Sequence, residues 1–187
     1  YDLLDNENGT ITFFAADGLT VVGTLTFDDI ESLQIVCFTT GTRITTNRGQ
    51  VPVEDLVPGD MVLTLDNGLQ PLTWVGKRHL SYAELLARPE FQPVRIGRAA
   101  LVGGGPDRTM LVSPQHRLLI DGPRAEMYFG EFEVLVPAKH LVGTAEVTTA
   151  LPAEGVTYVH ILFERHEIVN SDGIWTESFQ PASRTLA

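Results

Sequence analysis

Short alternating segments punctuated by glycine turns constrain this 187-residue chain more than any other feature. The densest example runs from Cys37 to Asp60. It holds Gly41, a Thr/Ile alternation over residues 42–46, a turn at Asn47-Arg48-Gly49, the step Pro52-Val53-Glu54 and a second turn at Pro58-Gly59-Asp60. A period of two between tight reversals is the signature of short strands. The stretch opens on the only cysteine in the chain. A lone cysteine is most often a small buried hydrophobe, so its context has to decide whether it does more.

The same pattern recurs on both sides. Residues 10–14 and 19–27 are rich in Thr, Val, Phe and Leu and follow the turn dipeptides Asn8-Gly9 and Asp17-Gly18. A polar break at residues 28–32 precedes Leu33 to Val36, which lead into Cys37. Residues 61–65 and 72–75, around Asp66-Asn67-Gly68, read as a hairpin. Residues 91–95 read as a further strand. Residues 81–88 are the best helix: Ser81 can cap it, Glu84 lies three positions on, and Pro89 ends it. Pro137 suggests a second helical turn. The expected fold class is therefore all-β with one or two short helices.

Composition narrows the function classes. A formal net charge of -11, with scattered basic residues, argues against nucleic acid as a general partner. One cysteine leaves no intrachain disulfide and no multi-cysteine metal site. No apolar run approaches the roughly 18–20 residues of a membrane span, and the first residues carry no signal-peptide pattern. The glycine run at residues 103–105 lacks the spacing and following helix of a phosphate-binding turn. His160, His166 and Glu167 invite a metal reading, but no further ligands stand at recognisable spacing. No cofactor or metal is expected, and a monomer is.

Two more stretches join the cysteine block. Residues 111–120 place a polar Ser113-Pro114-Gln115-His116 between two apolar strand pieces. Residues 158–178 begin with the alternation Tyr158, His160, Leu162, continue through His166, turn at Ser171-Asp172-Gly173 and end in Glu177-Ser178. Together the three resemble the sequence blocks of the Hint superfamily, shared by Hedgehog autoprocessing domains, inteins and bacterial intein-like domains. Cys37, Gly41-Thr42, Pro52-Val53-Glu54 and Gly59-Asp60 are similar to the first block. Ser113 and His116 are similar to a Thr-x-x-His block, and Tyr158 with His166 to a late block. The Glu-Ser-Phe ending is like that of a bacterial subgroup. The resemblance spans about three quarters of the chain and leaves no room for an inserted endonuclease domain.

The resemblance implies a compact, horseshoe-like Hint fold with pseudo-two-fold symmetry. It implies residues 1–36 as an upstream β-rich flank, 37–178 as the autoprocessing domain and 179–187 as a tail. It also implies chemistry: the Cys37 thiol attacks the Val36 carbonyl, an N-to-S acyl shift, and water, a thiol or an amine resolves the thioester. His116 would protonate the leaving nitrogen, Ser113 would position the peptide, and His166 would assist at the cysteine. The substrate is the chain's own upstream segment, and an extracellular bacterial setting is the accompanying expectation.

Departures limit what carries over. Splicing inteins end in His-Asn, whereas Glu177-Ser178 stand here, and serine cannot cyclise to a succinimide, so splicing is not expected. Asp107 is the nearest counterpart to the acid that Hedgehog domains use with a sterol, and it reads as a solvated loop residue. His140 reads as structural. Val36 is β-branched, which should slow attack on its carbonyl. The rival readings are a catalytically silent Hint-fold binding or assembly module and, third, a cysteine hydrolase acting in trans through Cys37 and His116.

Overall fold

A computed structural model describes residues 9–14, 21–27, 36–101, 105–144 and 146–179. The turn expected at Asp17-Gly18, the break at 28–32, most of the glycine run and residues 180–187 of the tail lie outside the described residues. The chain divides into two compact units, Tyr1–Gln34 and Ile35–Ala187. In the first, β1 (Gly9–Phe14) and β2 (Val21–Phe27) pair antiparallel, with an irregularity between Phe13 and Phe14.

The second unit is built almost wholly of short antiparallel strands. In chain order they are β3 (Phe38–Thr39), β4 (Arg43–Thr46), β5 (Gly49–Pro52), β6 (Met61–Thr64), β7 (Gly68–Pro71), β8 (Trp74–Leu80) and β9 (Val94–Ile96). Then come β10 (Met110–Val112), β11 (Arg117–Asp121), β12 (Glu133–Pro137), β13 (Val147–Thr149), β14 (Val156–Leu162), β15 (Ile168–Ser171) and β16 (Ile174–Glu177). One sheet runs β13-β9-β10-β3-β14-β8. The other runs β12-β11-β16-β15-β4-β6-β7, with β5 on β4. The all-β expectation holds, with two short α-helices among the described residues.

Local chemistry accounts for the elements. Gly49 (φ 93°) closes the β4–β5 hairpin in a backbone region that L side chains avoid. Helix α1 (Tyr82–Ala87) carries a complete capping box: Ser81 accepts from the Glu84 N–H, and the Glu84 carboxylate accepts from the Ser81 N–H at 2.7 Å. Pro137 starts a 3-10 turn over Ala138–Leu141. Helix α2 (Pro123–Phe129) has proline in its first turn and Gly130 in the left-handed region at its end.

Two expectations are corrected. The second arm of the hairpin is β7, and Trp74 and Val75 begin β8 in the other sheet, because the chain changes sheets after Pro71. Residues Pro89–Phe91 form a 3-10 turn, started by proline, before the strand at Val94–Ile96.

Three apolar clusters fill the unit. Phe38, Ile44, Val62, Val159, Ile161 and Val169 form one beneath both sheets. Val94, Ile96, Met110, Val112, Leu118 and Val147 form a second. The third contains Cys37 itself, with Leu80, Leu85, Val156 and Tyr158. At about 25 cal/mol per Å² of buried apolar surface, such clusters hold the frame on which the polar residues are placed. No helix among the described residues is long and apolar enough to cross a membrane.

Candidate active site

Strand β3 lies between β10 and β14, and that placement creates the site. Thr39 pairs with Tyr158 and Phe38 with Val159. Continuing this antiparallel register by one residue brings Cys37 beside His160. On the other side Phe38 pairs with Val112, which brings Ser113 to Cys37. A β-strand alternates its faces, so Phe38 enters the first apolar cluster while Cys37 faces the third. The Thr39 hydroxyl ties β3 down by donating to the Leu111 carbonyl at 2.9 Å.

Ser113 grips the main chain of Cys37 twice. The Cys37 N–H donates to Ser113 Oγ at 3.0 Å, and the Ser113 N–H donates to the Cys37 carbonyl at 3.0 Å. His160 touches both partners of the bond upstream. Its Nδ1 lies 3.0 Å from the Val36 carbonyl oxygen, and its Nε2 lies 3.3 Å from Cys37 Sγ. A carbonyl can only accept, so Nδ1 carries the proton; Nε2 is then the free acceptor for the thiol. The sulfur also lies 3.5 Å from Nδ1, so it rests against the ring nearly midway between the two nitrogens, and Nε2 is the one left to take its proton.

His116 is fully buried, and its ring packs edge-on to Phe38 at 4.5 Å between centroids. Neither ring nitrogen makes a hydrogen bond within the described residues. The Cys37 main chain nonetheless lies near enough to raise the proton affinity of the ring and so opposes the effect of burial. Burial dominates and, aided by His160, lowers the His116 pKa to about 3. For His160 burial again dominates; the Val36 carbonyl opposes it and Arg78 adds to it, leaving a pKa of about 4. Both imidazoles are neutral at pH 7.

Cys37 is 2% exposed, and burial pushes its thiol well above the ordinary value, against opposing effects of Ser113 and Arg78. Arg78 pairs with Tyr158 across β8 and β14, on the face that carries His160. Tyr158 donates to the Phe91 carbonyl at 2.7 Å, and burial raises its phenol. The thiol thus sits protonated beside a base rather than as a free thiolate.

The structure brings Val36, Cys37, Ser113 and His116 together and places His166 in different company. His166 Nε2 lies 3.4 Å from a Glu177 carboxylate oxygen, and the other oxygen accepts from the Arg117 N–H at 3.2 Å. The histidine beside Cys37 Sγ is His160, and His166 lies beside Glu177 instead. Sequence alternation puts His160 on the face of Tyr158, but only the β3–β14 pairing shows what that face meets. Ser178 Oγ accepts from the Glu167 N–H at 3.0 Å and is fully buried. Glu167 accepts from Asn67 Nδ2 at 3.0 Å, so this carboxylate has a hydrogen-bonding role. Asp107 is exposed, and its N–H donates to the Asp172 carbonyl at 2.6 Å. No group of three or more His, Cys, Asp or Glu side chains among the described residues could hold a metal ion.

An all-β domain whose buried cysteine is held against the peptide bond preceding it has the layout of a self-processing domain. Residues 36–183 match the family model of the Hint domain, and the chain belongs to that family. Among solved structures it is similar to the bacterial intein-like domain from Clostridium thermocellum. The TM-score there is 0.54 at 14% identity, covering 78% of this chain and 99% of that one. It is also similar to a splice-inactive, GSH-linked variant of the AceL NrdHF class 3 split intein. Here the TM-score is 0.50 at 14% identity, with 78% and 99% covered. At such identities the likeness is one of fold. No curated protein matches the chain in sequence.

Proposed function

We propose that the chain cleaves itself between Val36 and Cys37 through a thioester, and that His160 is the group acting on both reacting atoms. The observation that carries this reading is the pair of His160 contacts, 3.0 Å to the Val36 oxygen and 3.3 Å to Cys37 Sγ. The Sγ–H proton passes to Nε2 as sulfur bonds to the Val36 carbonyl carbon. The Nδ1–H holds the oxygen that becomes negative. The C–N bond then breaks, and the thiol proton finishes on the Cys37 nitrogen, leaving a Val36 thioester and a free amine on one residue.

For the last transfer the proton passes from His160 to neutral His116 and from there to the Cys37 nitrogen. An imidazole whose pKa is lowered to about 3 is a strong acid once protonated and gives up that proton readily. Ser113 keeps the departing nitrogen in place. General acid–base assistance of this kind contributes about 10²–10⁴-fold. Water, a small thiol or an amine then resolves the thioester and releases the upstream segment. Splicing is not part of the proposal, since Ser178 has no amide to cyclise.

A silent Hint-fold module is the second reading, favoured by the raised proton affinity of the buried thiol. A hydrolase acting in trans is disfavoured, because a sulfur on a 2% exposed residue has no room for an outside substrate. Hydroxylamine at neutral pH separates the first two readings, since it cleaves thioesters and leaves ordinary peptide bonds intact. The proposal expects a hydroxamate on Val36 and a second fragment beginning at Cys37. An intact chain after prolonged treatment would favour the silent module.

A further inference from the structure

His160 makes its two contacts only if its ring is held in one orientation, and the chain beyond Ser178 contributes to that hold. Phe179 forms a parallel bridge with Leu162 on β14, and its N–H donates to the Ile161 carbonyl at 3.1 Å. This lays the Phe179 ring against His160, edge to face, with centroids 5.2 Å apart and planes at 68°. Trp74 borders the same imidazole at 6.5 Å and 30°. A β-carbon on Gly76, the residue paired with His160, would overlap the Trp74 indole, so glycine there lets the indole lie across the strand.

We propose that Phe179 is a positioning residue for His160, so that the residue following the domain's last block completes the cleavage site at its first. A ring turned about its χ2 bond would exchange Nδ1 for carbon and lose the Val36 oxygen. The Phe179 ring closes the space that turning needs. It also withholds water from the imidazole, which keeps the ring neutral and able to take the thiol proton. The edge-to-face contact restrains the plane of the imidazole, and the space it occupies opposes turning of the ring. This inference rests on the reading of His160 as the base, and its consequence is that events downstream of Ser178 tune cleavage upstream of Cys37.

The test compares the full chain with Phe179→Ala, Phe179→Tyr and Phe179→Leu, reading two quantities. The first is the rate of fragment formation against pH. The second is the titration of the His160 and His116 ring signals by NMR, in full-length chains carrying Cys37→Ala so that the bond stays intact. Phe179→Ala is expected to slow cleavage about tenfold or more. Its His160 should titrate upward from about 4 toward the ordinary 6.5 while His116 stays put. Phe179→Tyr should restore both readings; Phe179→Leu, which keeps apolar cover, serves as the folded control if alanine unfolds the end strand. Unchanged cleavage together with unchanged His160 titration in Phe179→Ala overturns the inference. If His160→Gln cleaves like the unaltered chain, the base reading fails instead, and the titration still decides whether Phe179 shields the ring.

Discussion

The Cys37 N–H donates to the Ser113 hydroxyl while the Ser113 N–H donates back to the Cys37 carbonyl, each at 3.0 Å, between residues 76 apart in sequence. This reciprocal clasp fixes the nitrogen that must leave in the proposed reaction. Ser113→Ala removes the acceptor and strands a buried N–H, at a cost of about 1–3 kcal/mol. The expected result is cleavage slowed roughly 10–100-fold, with Ser113→Thr retaining most of the rate, measured by fragment formation on denaturing gels.

His160 and His166 separate cleanly by substitution. His160→Gln should slow cleavage about 100-fold or more, because the thiol loses its proton acceptor and the Val36 oxygen its donor. His166→Ala should leave the rate within about threefold, since that ring pairs with Glu177 and not with Cys37. Parallel time courses on the two variants check this, and equal losses in both would contradict it.

Cleavage should show an acid limb. Neutral His160 is required, and its pKa of about 4 places the fall in rate near that pH, well below an ordinary histidine. Above it the rate should stay level through neutral pH, because the thiol passes its proton directly to the imidazole and no free thiolate is needed. A rate rising tenfold per pH unit between 6 and 8 would point to attack by free thiolate instead.

Stability should fall over a related range. His116 and His160 bind protons less readily in the folded chain than near their ordinary 6.5, at about 3 and about 4. The unfolded chain therefore takes up protons first as the pH drops. Stability from these groups is fully present above about pH 6.5 and is lost progressively toward pH 3–4, by about 1.4 kcal/mol per pH unit for each. Urea midpoints measured from pH 7 to 4.5 should decline, and less steeply in His160→Gln.

Asp172 supports the frame from outside the site. It is 2% exposed with φ 45°, accepts from Arg108 Nε at 2.7 Å and from the Arg43 N–H at 3.3 Å, and donates its own N–H to the Arg43 carbonyl. Arg108 also reaches the Gly41 carbonyl. Asp172→Ala should cost about 2–4 kcal/mol in urea denaturation, and Asp172→Asn less, because asparagine tolerates the left-handed backbone and keeps the acceptor.

The residues that spoke through local chemistry were legible in the sequence. Turn glycines and alternation marked most strands, and Ser81 with Glu84 marked α1. Ser113 and His116 stood out only through their resemblance to a Thr-x-x-His block. What stayed hidden depends on distant pairing. His160 looks like one more alternating residue of β14 until β3 is laid beside it, and it meets Cys37 across 123 residues. The late-block pattern pointed to His166, whose partner Glu177 also pairs with Arg117 on a strand that sequence alone does not lay beside it. Helix α2 carried usable signals, Pro123 in its first turn and Gly130 after its last, but little apolar periodicity between them. The sheet change after Pro71 left no local mark.

Intact-mass spectrometry of the full chain, with and without a small thiol and alongside Cys37→Ala, tests self-cleavage most directly. The account predicts a thiol-accelerated split into an upstream piece ending at Val36 and a piece beginning at Cys37, absent from Cys37→Ala. A full-length mass unchanged after long incubation of the folded chain with thiol, or a split that survives in Cys37→Ala, would contradict it.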